Sequence, residues 1–192
     1  MKKIYLLALL LITAAVLVMA VGFSMNQSAP SLKQKHVAFY VTDDTGVFFM
    51  QLKRGVEDAA LDMGAKCTLE VVAPNETPPE NGYEGAVVFS QDAFEMKIPQ
   101  VFIGKAIPGL RCVTAGEASG PIAAGEDLDK YIALLENGDI EGFFAMDPYA
   151  MGYRALEALV TGDAGTVVPL TYITLDNLYA KETIKLVFPL LQ

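Results

Sequence analysis

Short apolar runs, each bounded by polar or turn-forming residues, recur along the chain and predict buried β-strands. In order they are HVAFYV (36–41), KCTLEVVA (66–73), GAVVFS (85–90), IPQVFIG (98–104), LRCVTAG (110–116), IEGFFAM (140–146) and TVVPLTYITL (166–175). The last run contains Pro169, which lacks a backbone N–H group for strand pairing. We therefore expect an edge position or a bulge there.

Between the runs, apolar residues spaced three and four positions apart predict helices. The first helix follows Asp44 and Thr45, either of which can cap it, and ends at Gly64. The second covers 126–139. The third begins at Asp147 and Pro148, an N-cap followed by proline at the first helical position, and ends at Gly162. Their apolar positions are Phe49, Leu52, Val56, Ala59, Ala60 and Met63; Leu128, Ile132 and Leu135; and Met151, Ala155, Leu159 and Val160.

Strands that alternate with helices predict an α/β fold, a doubly wound parallel sheet covered by helices. The connections 74–84 and 91–97 are exceptions, because neither has helical spacing and parallel crossovers usually contain a helix. Right-handed crossovers place both connections over one face of the sheet. We therefore expect a thinly covered apolar face there, buried by the 126–138 helix, by a second copy of the chain or by another protein.

The N-terminal segment has a composition of its own. Lys2 and Lys3 precede an apolar run from Ile4 to Phe23, which is long enough to cross a bilayer. We expect an uncleaved transmembrane anchor; the alternative is a cleaved signal peptide with Val18 and Ala20 at its cleavage site. The lysines place the domain on the extracytoplasmic side of the cell membrane, in the periplasm or at the cell surface, or secreted after cleavage. The expected divisions are 1–25 as anchor or signal, 26–35 as linker and 36–192 as one domain.

Charge and reactive residues exclude several functions. The net charge of −9 and the pI near 4.6 give no basic surface for nucleic acid. His36 is the one histidine, and the sequence places no nucleophile–base pair around it. The chain has no phosphate-binding glycine loop and no calcium loop. We expect a protein without catalysis, cofactor or bound metal.

Three stretches together resemble the type I periplasmic sugar-binding proteins, the ribose-binding-like receptors of ABC transporters. FFMQLKRGVEDAALDMGA (48–65) resembles the first helix of that family, with its leading aromatic pair. GYEGAVVFS (82–90) and IPQVFIGK (98–105) resemble its third and fourth strands. The segment 134–177, which contains DPYAMGY, resembles its C-terminal part. The resemblance covers about residues 36–180 and implies a sheet of order 2-1-3-4-5 with a returning strand.

The same resemblance implies that most of the second lobe is missing, because the helix at 126–138 follows Gly120 almost directly. One nearly complete lobe and a stub of the other should remain. In that strand order Cys67 and Cys112 lie on opposite sides of the sheet, too far apart for a disulfide.

The resemblance also indicates a ligand site at the strand ends, with side chains that would bind a sugar by stacking and hydrogen bonds. The candidates are Asp43, Asp44, Phe48, Phe49, Lys105, Glu117 and Asp147. The phenylalanines are equally explained as core residues, and the two aspartates before the helix as caps or solvated acids. Several polar ligands of the family are replaced, since Gly104-Lys105 stands for Asp-Arg and Met146 for glutamine.

Two functions follow as expectations. The first is an extracytoplasmic solute-binding protein that binds a small carbohydrate or related polar solute and serves an ABC transporter permease or a sensor. The second is a membrane-anchored interaction or regulatory module that has lost sugar binding and contacts a protein partner or a second copy of itself.

Overall fold

A computed structural model describes residues 35–73, 76–91 and 94–189. The expected anchor at 1–25 and all but the last residue of the expected linker at 26–35 lie outside these ranges. Within them, no helix combines the length and the apolar character needed to cross a membrane.

The predicted helices and strands are present with small shifts at their ends, except that 166–175 holds two strands; the strand at 122–123 and the helix at 184–187 were not predicted. The elements are listed here in chain order. They are β1 (His36–Val41), α1 (Gly46–Asp62), β2 (Lys66–Val71), β3 (Gly85–Phe89), β4 (Gln100–Ile103), β5 (Arg111–Ala115), β6 (Ile122–Ala123), α2 (Asp127–Glu136), β7 (Phe143–Ala145), α3 (Pro148–Thr161), β8 (Thr166–Val168), β9 (Thr171–Ile173) and α4 (Ile184–Val187).

The main sheet has the order β2-β1-β3-β4-β5-β8, and every neighbouring pair is parallel. This confirms the predicted order 2-1-3-4-5 with a returning strand. β1 is buried from Val37 to Val41 because it lies between two strands with both faces covered. The sheet, α1 and α3 are called the large subdomain below.

A second sheet, β6-β7-β9, pairs β6 with β7 in parallel and β7 with β9 in antiparallel orientation. One of its faces packs with α2 and α4 around a buried cluster that includes Phe143, Leu135 and Val187. β6, α2, β7, β9 and α4 are called the small subdomain. It corresponds to the predicted stub of a second lobe.

The prediction of a single strand at 166–175 is wrong, because this segment forms two strands. β8 joins the main sheet and β9 joins the small one, with Pro169 and Leu170 between them. Proline cannot donate a ladder hydrogen bond, so the strand ends there and the chain passes from one sheet to the other.

Helices α1 and α3 cover one face of the main sheet and approach each other closely. A Cβ atom on Gly55 would lie 2.0 Å from the Tyr149 carbonyl oxygen, and one on Gly152 would lie 2.1 Å from the Leu52 carbonyl oxygen. Only glycine permits so short a distance between the two helix backbones, so α1 and α3 are in direct backbone contact at these positions.

The opposite face is not bare, which corrects the expectation of a thinly covered surface. Tyr40, Val88 and Phe102 on this face are almost fully buried. Side chains from the connecting loops pack against them, namely Tyr83, Phe94, Met96, Ile98 and Ile107. Irregular loops can bury a sheet face when they carry enough apolar side chains, and within the described residues no second copy is needed to cover it.

The two cysteines lie on β2 and β5, and both are free thiols, as predicted. β1, β3 and β4 lie between their strands. Burial, with a smaller effect of the Glu57 charge, raises the pKa of Cys67 to about 12.

Candidate functional site

Because the strands of the main sheet are parallel, their carboxyl ends meet at one edge. Open α/β sheets bind ligands at this edge. Asp43 and Asp44 follow β1, Lys105 follows β4 and Glu117 follows β5. All four side chains are exposed.

Asp43 closes the turn that leads into α1. Its Oδ1 accepts hydrogen bonds from the Thr45 backbone nitrogen at 3.0 Å and from Thr45 Oγ1 at 2.7 Å. These bonds lower the pKa of Asp43, the side-chain bond having the larger effect. Both bonds go to Thr45, ahead of the first helical residue, so Asp43 is a turn residue.

The aromatic pair divides between a buried and a partly buried position, and both rings pack against the main core. Phe49 is 5% exposed and stacks on Phe39 with ring centroids 6.2 Å apart. Phe48 is partly buried and stacks on Phe89, at the end of β3, with centroids 5.6 Å apart. A helix turns about 100° per residue, so neighbouring side chains face different directions. Phe49 is a core residue, and only Phe48 has a ring that partly faces solvent.

Asp147 is the N-cap of α3, as predicted. Its Oδ1 accepts a hydrogen bond from the Ala150 backbone nitrogen at 2.9 Å, and Pro148 occupies the first turn. Asp147 also lines a polar pocket between the subdomains, and none of the other predicted site residues does so in the described part of the chain.

This pocket, called the junction pocket, has a volume of about 360 Å³. Gln51, Arg54 and Asp58 line it from one face of α1, where they are spaced three and four residues apart. Tyr149 lines it from α3 beside Asp147, and Glu182, Lys185, Leu186 and Pro189 line it from the C-terminal segment. It therefore lies between the large and the small subdomain.

Its charged groups are partly paired. Arg54 Nε lies 4.0 Å from Asp58 Oδ2, and the Tyr149 hydroxyl donates a hydrogen bond of 3.1 Å to the same oxygen. Partial burial, followed by this bond, raises the pKa of Tyr149. Gln51 Oε1 is shielded from solvent and accepts no hydrogen bond from the described residues.

The sequence of α1 contains one indication of this pocket. The polar positions 51, 54 and 58 share one helical face, but such a stripe is normally the solvated side of a helix. Only the return of the chain at 182–189 turns it into a pocket wall, and that contact could not be located from local spacing.

The subdomains also meet at the start of α1. The backbone nitrogen of Val47 donates a hydrogen bond to Glu126 Oε1, across 79 positions of sequence. Sequence reasoning assigned the cap of this helix to Asp44 or Thr45. Thr45 is the N-cap by backbone position but makes no side-chain cap bond.

The described part of the chain offers this site polar and charged side chains but no metal cluster. In the described ranges, no cluster of three or more histidine, cysteine, aspartate or glutamate side chains could hold a metal ion. His36 lies at the start of β1, at the opposite edge of the sheet, and its Nε2 is 2.9 Å from Thr68 Oγ1. The junction pocket offers carboxylate and amide acceptors with cationic and phenolic donors.

No protein-family model and no curated protein matches the sequence. Solved structures do match. A chain of a mutant XylFII–LytSN complex has a TM-score of 0.55 at 12% identity, covering 76% of this chain and 99% of that chain. A sugar ABC transporter structure from Yersinia enterocolitica subsp. enterocolitica 8081 has a TM-score of 0.52 at 13% identity, covering 81% and 89%. A LacI transcriptional regulator from Lactobacillus brevis has a TM-score of 0.52 at 11% identity, covering 72% and 99%.

The names of the second and third neighbours are those of a sugar ABC transporter and of a transcriptional regulator. The fold they share with this chain is that of the type I periplasmic binding proteins, which confirms the predicted resemblance at the level of the fold.

Proposed function

We propose that this protein is a solute-binding module that binds a small carbohydrate or a related polar solute without catalysis, in the junction pocket. The observation that carries the proposal is this polar pocket of about 360 Å³ between the subdomains of a periplasmic-binding-protein-like fold. Its volume falls within the usual range for small-molecule sites, about 300–1,000 Å³.

The polar lining supports a hydroxyl-rich ligand. Asp58, Asp147 and Glu182 supply carboxylate acceptors, while Arg54 and Lys185 supply cationic donors. A sugar hydroxyl both donates and accepts, so it can bond to both kinds of group. Gln51 Oε1 adds a shielded acceptor whose desolvation a ligand hydroxyl would offset after a small rotation of the side chain.

The second part of the proposal concerns the residues at the edge of the main sheet where the carboxyl ends of its strands meet. Phe48, Asp43, Asp44, Lys105 and Glu117 would contact a solute bound at the carboxyl edge of the main sheet. Phe49 is left out because it is buried in the core. Separate variants of α1 distinguish this edge from the junction pocket.

We expect a matching solute to raise the melting temperature of the full chain. The panel is pentoses, hexoses, inositols and nucleosides. A solute at 100 times its Kd adds about 2.7 kcal/mol of stability, which corresponds to several degrees for a domain of this size.

The Arg54→Ala variant should lose the thermal shift, because Arg54 lines the junction pocket. Lys53→Ala is the matched control, since it removes one positive charge from the neighbouring position, where Lys53 pairs with Glu57 at 3.6 Å. If Phe48→Ala abolishes the shift and Arg54→Ala does not, the solute binds at the strand edge. A folded chain that no compound stabilises would contradict the proposal.

We place the domain on the extracytoplasmic side of the cell membrane, tethered by the N-terminal apolar segment. Lys2 and Lys3 before the apolar run support this orientation. Protease added to intact spheroplasts should digest the domain, and full protection would contradict this placement.

A second function is favoured by one surface. Ile122, Phe144 and Tyr172 are cross-strand neighbours on one face of the small sheet, and Ile122 and Tyr172 are 41% and 45% exposed. An apolar row of this kind fits an interaction module whose partner is a sensor, a transporter permease or a second copy. The name of the XylFII–LytSN complex is consistent with a protein partner for this fold. In a pull-down with the full chain, a Tyr172→Glu variant should capture less of the partner. Unchanged capture would count against this face as the contact surface.

A further inference from the structure

Helix α1 begins without a cap from its own neighbourhood. Its N-cap residue, Thr45, makes no side-chain cap bond, and its first turn contains no acidic residue. The first N–H groups of any helix have no partner within the helix and carry partial positive charge. They require an acceptor from elsewhere.

Glu126 of the small subdomain provides that acceptor. It is the residue before α2, and its Oε1 accepts a hydrogen bond from the Val47 backbone nitrogen. A carboxylate at this end of a helix is favourable both as a hydrogen-bond acceptor and as a negative charge.

The backbone on both sides is shaped for this contact. Gly46 has φ +88°, and a Cβ atom there would lie 2.3 Å from Glu126 Oε1. Gly125 has φ +57°, and a Cβ atom there would lie 2.8 Å from Phe48 Cβ. A side chain at either glycine would separate the two helix starts, so the contact depends on both positions.

We propose that Glu126 is a latch, because its carboxylate holds the small subdomain against the start of α1. The carboxylate and the two glycines form a contact independent of the junction pocket, whose lining includes none of these residues. The two subdomains are therefore joined on this side by residues of the chain itself.

Amide hydrogen exchange in the full chain tests the latch without a ligand. In Glu126→Ala, the Val47 amide loses its acceptor and should exchange at least about tenfold faster, the equivalent of about 1.4 kcal/mol. Glu126→Gln keeps an oxygen of the same reach and should give a smaller increase. Glu141→Ala, which removes an exposed carboxylate from the same subdomain, should leave Val47 unchanged.

Gly46→Ala tests the contact from the other side. Its added methyl group would displace the carboxylate, so Val47 exchange should rise as it does in Glu126→Ala. The double variant should then exchange little faster than Gly46→Ala alone. Unchanged exchange at Val47 in a folded Glu126→Ala or Glu126→Gln chain would overturn the latch, and so would fully additive effects of the two substitutions. Failure of solute binding would leave this result unaffected.

Discussion

At the scale of single residues, Tyr40 shows how the loop-covered face of the main sheet is held. Its side chain is fully buried on β1, and its hydroxyl donates a hydrogen bond to the Pro79 carbonyl oxygen. Its ring meets that of Tyr83 edge to face, with centroids 6.2 Å apart. Tyr40 thus ties two positions of the 76–84 connection to the sheet.

Burial, with smaller effects from Tyr83, Glu70 and Glu80, raises the pKa of Tyr40 from 10.0 to about 12. The folded state therefore holds this proton more tightly than the unfolded state. The resulting stability is fully present below pH 10 and is lost as the pH rises towards 12.

We expect the free energy of unfolding to fall by up to about 1.4 kcal/mol per pH unit across this interval because of Tyr40. Urea unfolding between about pH 9 and pH 11 measures the slope. Tyr40→Phe should reduce this slope, because it removes the buried hydroxyl. Equal slopes for Tyr40→Phe and the parent chain would contradict this assignment.

Site residues could be predicted from the sequence only where the geometry is local. Asp147 was identified as a cap, because an Asp-Pro pair before a helical pattern implies the bond to Ala150. Phe48 and Phe49 could not be separated, since which face of α1 meets the sheet depends on tertiary packing. Glu126 could not be found, because it meets Val47 only after the chain has crossed between subdomains.

At the scale of elements, the pair of α1 and α3 determines the position of the junction pocket. Gly55 and Gly152 bring the two backbones into contact, and Tyr153 adds a hydrogen bond of 3.0 Å to Asp62. The pocket residues of both helices are therefore fixed relative to each other. The C-terminal segment forms the remaining wall of the pocket.

Gly152→Ala should destabilise the protein by about 3 kcal/mol or more, because the added Cβ would lie 2.1 Å from the Leu52 carbonyl oxygen. The usual effect of this substitution inside a helix has the opposite sign, a gain of up to about 1 kcal/mol. Gly120→Ala is the control, because its Cβ would meet Phe144 at an ordinary 3.6 Å.

Urea unfolding compares the two glycine variants with the parent chain. A Gly152→Ala chain as stable as the Gly120→Ala chain would contradict the close approach of α1 and α3.

Helices and strands were predicted well where a single sequence feature, such as an apolar run or a glycine stop, marks the element. Apolar runs located the strands of the main sheet, and Gly162, which has φ +83°, ended α3 as expected. The prediction of one strand at 166–175 failed because the apolar residues continue through Pro169. Only the tertiary structure, in which the two halves join different sheets, shows that they are two strands.

At the scale of the whole molecule, the described residues form a main sheet of six strands and a small sheet of three short ones. The sequence resemblance predicted this imbalance. It did not predict that irregular loops would cover the second face of the main sheet. Phe94, Met96, Ile98 and Ile107 have no periodicity, so no element pattern marks them as core residues.

The central claim is that a polar solute binds between the subdomains. Chemical-shift mapping of the ¹⁵N-labelled full chain, titrated with the panel of sugars, inositols and nucleosides, tests it most directly. We expect shifts concentrated at the amides of Gln51–Asp58, Asp147–Tyr149 and Glu182–Leu186, which surround the junction pocket. No saturable shift at these amides with any compound would contradict the account. Shifts confined to the Ile122, Phe144 and Tyr172 face would contradict it too.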